Sequence, residues 1–229
     1  SHIKDNYSKY INSQKKLLVI FRGINVNYFD PTTTLEVDES KLLSSWGVSR
    51  DKKLILMPGR LTPWKGQKIF IEALNLVNKE LGHQFFYAVI LGSDQGRNVY
   101  TKKIKRLAEQ YRLFPQLKFI EHCKNMPLAY KISDLIVSAS IEPEAFGRVS
   151  IEAQSMERPI IASDIGGSNE TITNNMSGFL FQSSNAESLS KKIVEVLNLD
   201  ESRLKLMGIE GRKNIIKKFN VEKMCFSTY

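Results

Sequence analysis

A rhythm constrains this chain more than any single residue: short apolar, β-branched runs alternate with stretches of helical spacing almost from end to end. Runs at 17–22, 53–57, 85–91, 117–121, 135–138, 159–162 and 179–181 have the length and make-up of strands. Between them the spacing predicts helices over 66–80, 98–112, 126–132, 148–156, 167–174 and 186–198, with a longer one over 202–218. A run such as Leu135, Ile136, Val137 shows no polar alternation, so both faces of that strand are expected to be buried, as in a parallel sheet. Parallel neighbours need crossovers, and the intervening helices supply them. The expected fold class is therefore α/β, a Rossmann-like parallel sheet flanked by helices. Seven strands fall short of the competing closed eight-fold barrel. Ile69, Ala73, Val77 and Leu81 share one helix face, as do Leu189, Ile193, Val196 and Leu197, and Ile151 and Met156 are expected to point inward. Ser184-Asn185-Ala186-Glu187 reads as a capping box with Ser184 as the acceptor.

Composition closes off several classes. No apolar run approaches the roughly 20 residues that cross a bilayer, and residues 1–16 are polar and lysine-bearing, without the apolar centre of a signal peptide. Cys123 and Cys225 fit neither a disulfide framework nor a ligand spacing, which favours free thiols in a reducing cytoplasm. His2, His83 and His122 show no ligand spacing either, so neither metal nor cofactor is expected. The net charge of +9 comes with clusters such as Lys102-Lys103-Lys105-Arg106 and Lys213-Lys217-Lys218, and it attracts phosphates of any kind. Without interleaved aromatics, a zinc pattern or a helix-turn-helix, nucleic acid is not the expected partner. Most of these clusters read as solvated helix faces, and a peripheral, anionic membrane surface remains compatible with them.

Two strand-to-helix transitions concentrate the chemistry. In EPEAFGRVSIEAQ, 142–154, an apolar strand gives way through Pro143 and Gly147 to a helix, so that Glu144 lies at the mouth of a crevice and Glu152 one to two turns inside. Helix N-termini there present free N–H donors at the carboxyl edge of the sheet. In GRLTPWKG, 59–66, Arg60 and Lys65 flank a turn that directly follows a strand. The lysine precedes the final glycine, so this is not a nucleotide-hydrolase phosphate loop. A forked guanidinium and a mobile ammonium on one turn suit a diphosphate, and a contact ion pair at intermediate dielectric contributes about 4 kcal/mol. Weaker candidates are LGSDQG, 91–96, which lacks the dinucleotide glycine spacing and leaves Asp94 and Arg97 as loop polars, and ASDIGGSNE, 162–170. In the latter, Gly166 and Gly167 would permit close backbone approach to a ligand, and Glu170 faces either the crevice or the helix start.

RGINVNYF at 22–29, GRLTPWKG, the glutamate pair in PEAFGRVSIEAQ and the GGSNE turn, in this order, resemble the carboxy-terminal half of retaining glycosyltransferases of family 4, also called group 1, which have the two-domain GT-B fold. The resemblance runs over about 19–219 and implies a donor-binding domain for a nucleotide-activated sugar, without an obligatory metal. It implies that Arg60 and Lys65 neutralise the donor diphosphate, that Glu144 contacts the sugar hydroxyls, and that Glu152 bonds the ribose. Backbone N–H groups around Phe146, Gly147, Arg148 and Val149 would meet the phosphates or the sugar. The chain departs from the family pattern at Asn25, usually aspartate, at Arg148, commonly small or apolar, and at His122 and Cys123, in a loop that often carries glycine.

The implied organisation is a linker or tag remnant over 1–16, a donor domain over 17–219, and over 220–229 the start of a crossover helix toward an absent amino-terminal acceptor domain. The expected acceptors are polysaccharide or lipid-linked saccharide hydroxyls, and the isolated chain is expected to bind donor but transfer little. Two other readings fit the same residues, a nucleotide-sugar epimerase of GT-B type and a non-catalytic nucleotide-sugar binding module.

Overall fold

The computed structural model describes residues 4–5, 18–33, 36–96 and 98–228. Its sheet contains β1 (Lys53–Pro58), β2 (Phe86–Leu91), β3 (Leu117–Ile120), β4 (Leu135–Ser138), β5 (Ile160–Ser163) and β6 (Phe179–Phe181) in the order β3-β2-β1-β4-β5-β6, every pairing parallel. The chain winds outward from β1 to β3, returns to lay β4 beside β1, and winds outward again. That reversal opens a crevice beyond the carboxyl ends of β1 and β4, the place where open sheets of this kind take ligands.

The helices are α1 (Glu36–Trp46), α2 (Gln67–Leu81), α3 (Asn98–Gln110), α4 (Met126–Lys131), α5 (Arg148–Ser155), α6 (Ser168–Thr171), α7 (Ala186–Leu197), α8 (Glu201–Lys218) and α9 (Val221–Thr228). Successive strand residues point to opposite faces and feed two separate apolar layers. Ile55, Ala88 and Ile90 pack with α2, α3 and α7, while Leu56, Val89 and Leu91 pack with α1, α4 and α5. Both layers are dry at the sheet, which is why the strands carry no polar alternation. On α8, Gly208 and Gly211 let the helix lie close on α5 and the turn after it: a Cβ on Gly208 would sit 2.3 Å from the Glu157 carbonyl oxygen.

Four sequence expectations change. The strand over 17–22 does not form. Leu17 lies outside the described residues, 18–23 run irregularly, and Leu18 is 76% exposed. Its described residues pair with no strand of the sheet. Ile24 instead bridges to Asn220, and Phe21 packs edge-on to Phe219 at 5.5 Å, so the apolar run serves packing without pairing. The cap of α7 is Asn185, whose side chain accepts from the Ser188 N–H at 2.9 Å. Ser184 stands in the left-handed region, φ 61°, where it cannot take the extended N-cap conformation. The helix expected over 167–174 shortens to α6. Helix α1 was not foreseen, although Leu43 and Trp46, three residues apart, are both buried. The linker expected over 1–16 lies outside the described residues except at 4–5, and Arg97 lies outside them as well.

Candidate functional site

The turn after β1 is fixed by its backbone. Gly59 N–H donates to the Leu91 carbonyl at 2.9 Å, Lys65 N–H to Thr62 at 3.0 Å, and Gly66 N–H to Pro63 at 3.0 Å. Gly66 has φ 76°, and a Cβ there would sit 1.8 Å from the Ala139 carbonyl oxygen, so the turn rests directly on the end of β4. Fully buried Gln67 donates to the Arg60 carbonyl at 2.8 Å and accepts from Tyr100 at 3.3 Å. Gln67 thus anchors the phosphate-turn candidate, a role its sequence position did not announce. The two cations above this frame share the Trp64 indole, Lys65 Nζ at 4.4 Å and the Arg60 guanidinium at 6.0 Å from the ring centroid.

Across the crevice, Lys65 Nζ reaches Glu144 Oε1 at 2.8 Å, and the Ser140 hydroxyl donates to the same oxygen. The loop carrying Glu144 is held from behind: Gly167 N–H donates to the Glu144 carbonyl at 2.8 Å, and a Cβ on Gly166 would lie 2.7 Å from that oxygen. Here the reading of Gly166 and Gly167 is corrected. Their close approach is to the 143–147 loop, and neither glycine lines the cavity at this edge.

Helix α5 is preceded by Gly147, φ 75°, with no side-chain cap, so that Ser150 N–H donates to the Gly147 carbonyl at 3.0 Å while the Arg148 and Val149 N–H groups have no intrahelical acceptor. Within it Glu152, 8% exposed, takes two donors from opposite sides, Tyr130 Oη to Oε2 at 2.7 Å and Arg148 to Oε1 at 2.8 Å. Burial first, and then the Glu152 carboxylate, push the Tyr130 phenol well above the usual tyrosine range, so it is a proton donor to this carboxylate.

A cavity of about 1310 Å³ opens at this edge and gathers Arg60, Lys65, Glu144, Arg148, Val149 and Glu152. Phe146 and Gly147 do not line it. Phe146 turns away to pack on Phe219 at 5.6 Å and Phe21 at 6.4 Å. Residues that the motifs did not single out complete the wall, notably Tyr130, Glu121 and Met224 of α9. Asn25 lines it too, its side chain accepting from the Asn27 and Tyr28 N–H groups at 3.1 Å. His122 and Cys123 follow β3 in the same wall. Burial pushes the Cys123 thiol up while a backbone hydrogen bond at Asn125 draws it the other way, and the net displacement is upward. Such an arrangement can hold an anionic group on two cations while carboxylates accept from hydroxyls. Among the described residues no group of three His, Cys, Asp or Glu side chains converges as a metal would require, and no helix is long and apolar enough to cross a membrane. A second cavity, about 810 Å³, lies between α2 and α3, with Lys68, Lys102, Lys103 and Arg106 around Ile69 and strongly exposed Val99.

Comparison with known proteins places this geometry. A glycosyltransferase from Rickettsia africae superposes over 99% of the chain with a TM-score of 0.94 and 35% identity, the match covering 59% of that protein. Anabaena HepE in complex with UDP-glucose matches 99% of the chain at TM-score 0.86 and 24% identity, covering 61% of HepE. The carboxy-terminal domain of the Francisella tularensis group 1 glycosyl transferase LpcC matches 87% of the chain at TM-score 0.74 and 23% identity, over the whole of that domain. These neighbours have the GT-B fold, and the Rossmann-like sheet corresponds to its carboxy-terminal half. The chain spans about half the length of the curated relatives it matches, 49 to 59% of the first three. Residues 38–213 match the family model described as glycosyl transferases group 1, and the chain belongs to that family.

Proposed function

We propose that this chain is the donor-binding half of a retaining glycosyltransferase of family 4, holding a nucleoside diphosphate sugar for transfer to a hydroxyl acceptor on a polysaccharide or lipid-linked saccharide at the cytoplasmic side. The observation that carries the reading is the convergence of Arg60 and Lys65 with Glu144 and Glu152 in one cavity at the sheet's reversal point. Arg60 and Lys65 would neutralise the diphosphate, and the charge that grows on the leaving group as the glycosidic bond breaks is where fixed cations lower the barrier most. The Lys65 ammonium, 2.8 Å from Glu144, would exchange that carboxylate for the diphosphate. Glu144 would accept from sugar hydroxyls and Glu152 from the ribose, and neither is cast as a hydrolase nucleophile. The first-turn N–H groups of α5, at Arg148 and Val149, would face the phosphates, with Phe146 and Gly147 shaping the entry to that helix. Transfer would need an amino-terminal acceptor domain.

The test is a thermal-shift panel of UDP-, GDP- and ADP-sugars. At least one should stabilise the chain. Arg60→Ala and Lys65→Ala should abolish that shift, and Glu152→Ala should weaken it. Undiminished binding in all three variants would overturn the assignment.

The cationic groove between α2 and α3 supports a second, weaker proposal, peripheral attachment to an anionic bilayer. Its cations ring an exposed apolar residue, Val99, in a pattern complementary to acidic headgroups. Co-sedimentation with phosphatidylglycerol-containing vesicles should be lost in Lys102→Glu/Lys103→Glu and kept in Lys217→Glu/Lys218→Glu. Equal loss in both would reduce the effect to net charge.

A further inference from the structure

We propose that Tyr130 is a positioning residue that aims Glu152, fixing one carboxylate oxygen so that the other is presented to vicinal hydroxyls of the bound nucleotide. The inference rests on the donor reading above and adds to it a division of labour between the two oxygens. Tyr130 stands in the last turn of α4 and is fully buried, and its ring is held edge-on by Phe29 with centroids 6.1 Å apart. Its hydroxyl meets Oε2 of Glu152 at 2.7 Å, across 22 residues of sequence. A phenylalanine would fill the same apolar space without a polar atom to satisfy, so packing alone does not call for the hydroxyl.

The donor on the other oxygen has the opposite character. Arg148 reaches Oε1 at 2.8 Å, but its side chain is 72% exposed, and the pair is an i,i+4 contact on the surface of α5. Exposed pairs of that kind are weak and exchange easily, whereas a buried bond from a rigid donor to a charge is strong. Oε2 is therefore held and Oε1 is exchangeable. Hydroxyls entering the cavity can displace Arg148 without disturbing the carboxylate plane. Without the Tyr130 hydroxyl, the terminal carboxylate torsion, which is broad by nature, would no longer be set.

The experiment compares two ligands on three proteins by calorimetry. The ligands are the tightest binder among UDP, GDP and ADP and its 2′,3′-dideoxy analogue; the proteins are the wild-type chain, Glu152→Gln and Tyr130→Phe. Wild type should prefer the hydroxylated ligand about tenfold. Glu152→Gln should erase that preference, and Tyr130→Phe should cut it about threefold or more while leaving the dideoxy affinity unchanged. If Glu152→Gln keeps the wild-type preference, the ribose role of Glu152 fails and the proposal falls with it. If Glu152→Gln erases the preference and Tyr130→Phe does not reduce it, the donor reading stands and the Tyr130 proposal is overturned. Equal weakening of both ligands in Tyr130→Phe would make Tyr130 a packing residue and overturn it too. Should Tyr130→Phe not fold, Phe29→Leu, which loosens the ring and keeps the hydroxyl, should lower the same preference, and an unchanged preference would overturn the proposal.

Discussion

The two charged corners of the cavity are built by opposite means. At the 59–66 turn a contiguous stretch sets the shape through backbone hydrogen bonds and glycine conformation, and the working side chains lie over Trp64, with Lys65 paired to Glu144, without shaping the turn. At Glu152 the frame is side chain on side chain: a buried phenol from α4 and a guanidinium from the first turn of α5 meet one carboxylate. A corner made of backbone should tolerate changes to its side chains and fail when its glycine is altered. A corner made of side chains should lose stability by steps, each scaled to how deeply the removed group is buried.

Gly66→Val tests the backbone half of that contrast most severely. The φ of 76° excludes a β-branched residue at little cost, and the new Cβ would lie 1.8 Å from the Ala139 carbonyl oxygen, a clash with backbone that no rotamer relieves. We expect a loss of about 3 kcal/mol or more in urea denaturation, with β1 and β4 no longer holding the turn between them. A Gly66→Val chain as stable as wild type would show that the turn is not set by its backbone.

The same contrast explains what could be read from the sequence. Arg60, Lys65, Glu144 and Glu152 were legible because each sits at a fixed offset from the end of an apolar strand, and strand ends in a parallel sheet share one edge. The parallel order was legible for a related reason, since Leu135 to Val137 lack polar alternation. Tyr130 and Gln67 were not legible. A tyrosine in an amphipathic segment reads as core, a glutamine at a helix start reads as surface, and only the tertiary contacts with Glu152 and the Arg60 carbonyl give them roles. The strand expected over 17–22 failed because an apolar run states that a segment is to be covered without stating by what, and at Phe21 the cover is aromatic. Gly166 and Gly167 were read correctly as sites of close approach, but the approaching partner is the chain itself.

Smaller effects separate the two donors on Glu152 and sharpen the other half of the comparison. Tyr130→Phe removes a buried hydrogen bond to a charge and leaves Oε2 short of a partner, so it should cost about 1.5–3 kcal/mol near neutral pH. That cost should carry a pH signature. The native phenol titrates above its unfolded value near pH 10, so its contribution is complete below about pH 10 and is lost as pH rises from there through the raised native value. The stability gap between wild type and Tyr130→Phe in urea should therefore narrow at alkaline pH, and a gap that stays constant would show that Tyr130 is not titrating as a buried donor. Arg148→Ala removes the exposed partner of the same carboxylate and should cost no more than about 0.5 kcal/mol, declining with added salt. If the two substitutions cost the same, burial does not rank the donors, and the division of the Glu152 oxygens into one held and one exchangeable loses its physical basis.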